Sequence, residues 1–386
     1  MTTPITAPPP APAASLPSIL DLSREALYAL VAGMGEPRYR AGQLWRSIYH
    51  EGVPSFAEMT TLARPFRAKL EQRFSVDPLQ PALKLRSKDG STDKVVFRLQ
   101  DGQMIETVLM RYEPDAHRKR RRTVCLSTQA GCALGCTFCA TGQQGFTRHL
   151  TVGEIVGQAL WMARIANAED RELIASGGTT PGDASGITNA VFMGMGEPFA
   201  NYDNTMAAVR VLNDGQGLNI GARHITVSTV GLVPQILRFA DEPLQLNLAV
   251  SLHAPDDATR SQTMPINKRW PIATVIDACR KYVEKTDRRV FFEYVLLEGQ
   301  NDSPEHARKL GALLKGMLCH VNLIPVNPTE HGPYSRPDHQ RNAAFRDILL
   351  TYGVASTVRV EKGIDISAGC GQLRARVLAG EAAAQS

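Results

Sequence analysis

Seven short apolar runs alternate with amphipathic helical patterns along the last two thirds of the chain, and no other feature narrows the fold so far. The runs are TVCLS, ITNAVFMGMG, HITVSTVG, LQLNLAVSLH, VFFEYVLL, HVNLIPVN and STVRVEK. Helical periodicity falls between them, near Glu154–Ala166, Asn204–Leu212, Thr274–Val283, Ala307–Leu318 and Gln340–Tyr352. Strands that are apolar throughout need cover on both faces, and helices in the crossovers supply it. The pattern predicts an α/β fold: a parallel sheet with right-handed crossovers, closed or partly closed into a barrel. In such a barrel the chemistry collects at the C-terminal ends of the strands, where this chain places its Gly-, Ser-, His- and Asn-bearing motifs. The stretch Asn167–Gly186, with SGGTTPGDASG inside it, reads as a surface loop interrupting one crossover. The sequence shows no internal repeat.

Upstream the period changes. Residues 1–17 are rich in Pro, Ala and Thr, so a disordered tail is expected there. Leu27, Leu30 and Val31 share a helical face, a second helix carries Leu44, Trp45, Ile48 and Tyr49 up to Gly52, and a third spans Leu62 to Phe74. Together they predict a small helical accessory domain over 18–76. Val95, Phe97 and Leu99 then alternate with Lys94, Val96 and Arg98, Asp101-Gly102 signals a hairpin turn, and MIETVLM returns. This puts Glu106 on a face shared with Met104, Val108 and Met110, the position of an edge residue or of a carboxylate kept for chemistry. A hairpin and basic linker over 77–122, a barrel over 123–380 and a tail over 381–386 complete the expected organisation.

The composition, 43% hydrophobic and 21% charged over 386 residues, is that of a globular chain with ample core. No run approaches the ~18 uncharged apolar residues of a membrane helix. The N-terminus has no basic region followed by a leucine-rich stretch, which argues against a secretory signal. The net charge of +5 is local: six basic residues (Arg111, Arg118, Lys119, Arg120, Arg121, Arg122) against two acidic ones (Glu113, Asp115) give +4 within one segment. Such a patch fits a polyanion held at one place, and equally a solvated loop.

GCALGCTFCATGQQGF sets Cys132, Cys136 and Cys139 in a C-x3-C-x2-C loop after the first barrel run. Three thiolates so close in sequence can converge on one metal centre, with Gly131, Gly135 and Gly142 letting the loop curl. No fourth cysteine lies at ligand spacing; Cys279 and Cys319 occupy apolar positions and are expected to pack in the core. A four-iron, four-sulfur (4Fe–4S) cluster with three thiolate ligands keeps one iron open to chelate the amino and carboxylate groups of S-adenosylmethionine. An electron passed through it can then break the sulfonium C–S bond. A Cys3His zinc site recruiting His149, at a looser spacing, is the alternative.

This loop, together with ETV, VFMGMGEP, VSTVG, VSLHAP, IPVNP and GIDISAGCGQL, resembles the radical S-adenosylmethionine superfamily, and within it the RlmN family of bacterial adenine carbon-2 RNA methyltransferases. The likeness runs from about Leu20 to Gly380. It implies a partial (β/α) barrel with an N-terminal helical domain and a connecting β-hairpin. It implies 23S rRNA as substrate, with tRNA a second one in some members. It also implies a monomeric cytoplasmic enzyme that draws electrons from a donor such as flavodoxin. Carbon-2 of adenine is electron-poor and no nucleophile toward a sulfonium methyl. The family's route instead parks a methyl on a cysteine, matched here by Cys370 in SAGCGQ, and activates it by hydrogen abstraction before it adds to carbon-2. By the same resemblance Glu106 is the proton acceptor, fitting a carboxylate with raised proton affinity. Cys125 is then the resolving cysteine, freeing the product as a transient disulfide with Cys370.

For S-adenosylmethionine, the resemblance points to Gly196 and Glu197 of GMGEP, Ser228 of VSTVG, Ser251, Leu252 and His253 of VSLHAP, and Asn327 of IPVNP. Singly, such polar strand-end residues read as helix caps or turn formers; together they describe one pocket. Glu197 suits the methionine ammonium. Arg118 to Arg122 and the helical domain are expected to grip RNA phosphates, with the target adenine pulled from its stack. Gly369 stands where the family usually has Ala, a departure expected to affect loop flexibility only. The alternative functions are an adenine carbon-8 methyltransferase of the same class, and a non-catalytic zinc protein that binds RNA.

Overall fold

The computed structural model describes residues 16–114, 120–178, 186–327 and 333–373. Arg118, Lys119, nearly all of both tails and part of the 167–186 stretch lie outside the described residues. Helices α1 (Arg24–Gly33), α2 (Tyr39–Tyr49) and α3 (Arg64–Glu71) form the N-terminal helical region. Ser23 caps α1 by accepting the Ala26 N–H, and α2 buries Leu44, Trp45, Ile48 and Tyr49, as their spacing requires. Polar contacts fasten this region to the rest: Arg24 to Asp214 at 2.9 Å, Arg164 to Asp77 at 2.8 Å, and the Gly153 N–H to Asp21 Oδ1 at 2.7 Å.

Strands β1 (Gln80–Arg86), β2 (Thr92–Arg98), β3 (Met104–Tyr112) and β4 (Arg121–Cys125) follow. β2 and β3 make the expected hairpin, turning through Gly102 at φ +83°. β1 pairs antiparallel outside them, so the ribbon has three strands, and β3 joins it antiparallel to β4. The cysteine loop contains β5 (Gln129–Gly131), α4 (Ala140–Gln144) and β6 (Phe146–His149). Helix and strand then alternate. The order is α5 (Val152–Ala175), β7 (Asn189–Phe192), α6 (Tyr202–Asn213), β8 (Ile225–Thr229), α7 (Val233–Phe239) and β9 (Asn247–Ser251). Next come α8 (Asp257–Thr263), α9 (Ile272–Thr286), β10 (Val290–Leu296), α10 (Pro304–Leu314), β11 (Cys319–Pro325), α11 (His339–Thr351) and β12 (Ser356–Val358). The ten-stranded sheet runs β1-β2-β3-β4-β7-β8-β9-β10-β11-β12, and every pair from β4 onward is parallel. Among the described residues the order is linear, so the barrel is partial.

Two expectations need correction. α5 continues to Ala175, through the first half of the stretch read as a loop, because NAEDRELIA contains neither Gly nor Pro. Its reach carries Glu169 and Asp170 to the basic run. Arg111 donates to Asp93 and, at 2.7 Å, to Glu169. Arg122 grips Asp170 with two bonds of 2.6 and 2.8 Å, and Arg120 meets Asp170 at 3.1 Å. Arg111 and Arg122 are buried, so Arg122 serves the fold rather than holding RNA phosphates as expected, while Arg120 shares its carboxylate and stays half-buried. Arg121 stays exposed, its guanidinium 4.0 Å from the ring centre of Tyr112.

Candidate active site

The C-terminal ends of the parallel strands open onto one chamber. Cys132, Cys136 and Cys139 line it from the loop after β4; Gly196 and Glu197 follow β7, Ser228 lies at the end of β8, Ser251 ends β9 with His253 just beyond, and Asn327 follows β11. Leu252 is not in the lining. Its side chain is in the core, its N–H donates to Glu293 O at 3.0 Å, and its carbonyl accepts Arg260 Nε at 3.1 Å.

Backbone bonds shape the cysteine loop: the Cys132 N–H to Gly145 O at 2.7 Å, the Thr137 N–H to Thr263 O at 3.0 Å and the Ala140 N–H to Gly371 O at 2.8 Å. Gly131 is required here, since its φ is +77° and a Cβ would stand 2.0 Å from Gly145 O. Burial pushes the Cys132 thiol up to about 11 and the Cys136 thiol further, with the neighbouring thiols adding to the effect. A cationic centre that takes the sulfurs as thiolates relieves this. Among the described residues no three Cys, His, Asp or Glu close on a single ion; the three sulfurs ring the chamber instead. His149, the fourth ligand of the zinc alternative, meets Gln129 Nε2 at 3.1 Å outside the lining.

The other lining groups suit a ligand that carries an ammonium and hydrogen-bond donors. Glu197 accepts the Phe199 N–H at 3.0 Å and the Val230 N–H at 2.9 Å, yet burial still pushes its carboxyl up to about 7. A cation placed against it holds it ionised. Ser228 donates to Phe192 O at 2.6 Å, which leaves its oxygen lone pairs to accept. Asn327 Nδ2 donates to Cys370 O at 3.2 Å, while its Oδ1 is a buried acceptor with no hydrogen-bond partner. His253 accepts the Val295 N–H on Nδ1 at 3.0 Å, and burial pushes its imidazole down to about 3, so the ring is neutral with its proton on Nε2. Three thiols, a carboxyl awaiting a cation and an orphaned amide oxygen fit a cluster with S-adenosylmethionine on it.

A second chamber shares a wall with the first. Cys125, Val108 and Met110 line it, and Cys370, Cys139, Asn327 and Arg359 belong to both. Cys370 is exposed and Cys125 buried, and both are free thiols, so the expected transient disulfide is not formed here. Burial pushes the Cys125 thiol up to about 12, with Cys370 adding to the rise and Arg359 opposing it. Although the residue as a whole is exposed, burial of its sulfur among the chamber walls also raises the Cys370 thiol, and Arg359 opposes that rise too. Glu106 joins neither lining. It is buried on the β3 face that carries Val108 and Met110, with Oε1 3.6 Å from Lys94 Nζ. A Cβ on Gly369 would stand 2.6 Å from Asn327 Nδ2 and 2.8 Å from Gln372 Oε1, so a side chain at this position would have to move the Asn327 amide.

Two lining residues escaped the sequence reading. Glu293 of β10 accepts Asn322 Nδ2 at 2.8 Å, and burial raises its carboxyl, against the pull of Arg359. A lone acid inside VFFEYVLL is the same signal that singled out Glu106. Arg359, just after β12, reads in sequence as an ordinary strand-end cation.

Residues 126–310 match the radical SAM superfamily, and residues 18–76 match the ribosomal RNA large subunit methyltransferase N-terminal domain. The dual-specificity RNA methyltransferase RlmN 1 of Myxococcus xanthus is 51% identical over 93% of this chain and 95% of its own. A probable dual-specificity RNA methyltransferase RlmN from a Roseiflexus species is 47% identical, over 93% of this chain and 96% of its own. The crystal structure of a radical SAM methyltransferase from Sphaerobacter thermophilus aligns with a TM-score of 0.85 at 49% identity, covering 93% of this chain and 100% of that one. With likeness of this degree across nearly the whole fold, the chain belongs to the RlmN family of radical S-adenosylmethionine enzymes.

Proposed function

We propose that this chain methylates carbon-2 of an adenine in 23S rRNA, and in tRNA, through an S-methylated Cys370. The observation that carries this reading is the place of Cys370, in the wall between the three-thiol chamber and the chamber of Cys125. Cys132, Cys136 and Cys139 would hold a 4Fe–4S cluster, and Glu197, Ser228, Ser251, His253 and Asn327 the S-adenosylmethionine on it. When bound, that pair supplies a 5′-deoxyadenosyl radical.

The side chains do the rest. The Cys370 thiolate attacks the methyl carbon of S-adenosylmethionine: a new S–C bond makes Cys370 a methyl thioether, the sulfonium S–C bond breaks with its electron pair going to S-adenosylhomocysteine, and Arg359 favours that thiolate. Loss of one hydrogen atom from the S-methyl group lets its carbon bond to carbon-2 of adenine. Glu106 receives the carbon-2 proton, and the ring radical left by the addition gives up one electron, for which the oxidised cluster would be the acceptor, so that a closed-shell adduct remains. Cys125 then attacks the Cys370 sulfur: an S–S bond forms, the S–C bond breaks, and its electron pair stays on the carbon, which takes a proton to become the product methyl. An external thiol reduces the disulfide. Arg121 and the helical region contact the RNA, the chain acts as a monomer in the cytoplasm, and a donor such as flavodoxin supplies electrons.

Nucleoside mass spectrometry on RNA treated with the iron- and sulfide-loaded protein is the test. 2-Methyladenosine is expected; 8-methyladenosine, or no methylated adenosine, overturns the reading.

A further inference from the structure

The loop that carries Cys370 is held by the antiparallel ribbon. The Lys88 N–H donates to Asp365 Oδ2 at 2.9 Å. Lys94, on β2 and buried, donates through Nζ to Ser367 O at 3.3 Å, and the same Nζ lies 3.6 Å from Glu106 Oε1. Ser367 holds a left-handed backbone at φ +52°, a conformation that a residue with a side chain keeps only where its surroundings fix it. A buried ammonium is costly and is retained where several acceptors meet it. The acceptors here belong to the carboxylate read as proton acceptor and to the loop of the methyl-bearing thiol.

We propose that Lys94 is the positioning residue that fixes Glu106 and the Cys370 loop in one frame. The carbon-2 proton and the sulfur joined to the same adenine are then handled by groups whose separation one side chain sets. This rests on the roles given above to Glu106 and Cys370, and concerns a residue that lines neither chamber.

Two steps are read separately on the cluster-loaded full chain: methylation of Cys370 without RNA, by intact mass, and decay of the covalent RNA adduct in a single turnover, by gel. An ångström-scale misplacement costs on the order of a hundredfold in rate. Lys94→Met is expected to slow Cys370 methylation on that scale and to make the adduct persist, both corrected for folded fraction by thermal melting. Lys94→Arg, which keeps a cationic donor, is expected to restore both steps at least partly. If Lys94→Met does not fold, Lys94→Gln replaces it. A folded neutral variant that methylates Cys370 or clears the adduct at the unaltered rate overturns the proposal. So does an arginine variant no better than the neutral one, since that marks a packing role. If Cys370 of the unaltered chain takes no methyl at all, the reading of Cys370 falls first and this proposal with it.

Discussion

Asn327 is held at the wall of both chambers by what Gly369 lacks. Its Nδ2 would lie 2.6 Å from a Cβ at that position, so Gly369→Ala is expected to shift the amide and weaken S-adenosylmethionine binding by about tenfold, about 1.4 kcal/mol. Isothermal titration of the cluster-loaded protein measures this. His253 gives a prediction in pH. Its folded-state imidazole is pushed down to about 3, whereas the unfolded ring titrates near 6.5. Between those values the unfolded chain binds a proton that the folded chain refuses, so this contribution to stability is present above about pH 6.5 and is lost as the pH falls toward 3. By pH 5 the loss is about 2 kcal/mol. Denaturant melts at pH 7 and pH 5 should show a smaller acid effect in His253→Gln, where an amide oxygen can still accept the Val295 N–H. At this scale the sequence was readable where chemistry needs rare residues at tight spacing, as for Cys132, Cys136 and Cys139. It was silent where a role depends on contact, as for Lys94 with Ser367 or Gly369 with Asn327, because the partners lie far apart in the chain.

Helix α5 shows how an element can absorb a charge that a sequence reader assigns to a ligand. Its start is legible, since Thr151 and Glu154 form a capping box, and Gly and Ser mark its end only after Ala175. What could not be read was that Glu169 and Asp170, within two turns of that end, reach across to β3 and β4. Removing one partner of a buried ion pair leaves the other uncompensated, so Asp170→Asn is expected to lower stability by about 3 kcal/mol in denaturant melts. Arg121→Gln should leave the melt unchanged and instead lower RNA affinity, with a salt dependence of binding shallower by about one unit of slope. An arginine-to-glutamine change at 122 that weakened RNA binding without destabilising the fold would reverse this division of labour.

Across the whole molecule, the seven apolar runs became seven parallel strands in chain order, because continuous hydrophobicity and right-handed crossovers leave few other arrangements. The third strand of the ribbon was less visible, since QPALKLR is largely exposed and only Leu83 of it is buried. Thiol labelling tests the assembled site. Cys370, which is exposed, should alkylate with or without the cluster; Cys132 and Cys139, partly exposed, should label only after iron is chelated away; and Cys279 and Cys319 should resist in both states. Peptide mass spectrometry reads all five, and protection of Cys132 and Cys139 in the iron-free chain would count against a cluster at this loop.

A sulfur built into a partition faces two rooms without travelling. The group it carries can be loaded from one side and handed over on the other with no swinging arm between them, so the order of events is kept by which guest occupies each room. Crowding either room from outside should then stop the cycle at a different, identifiable stage.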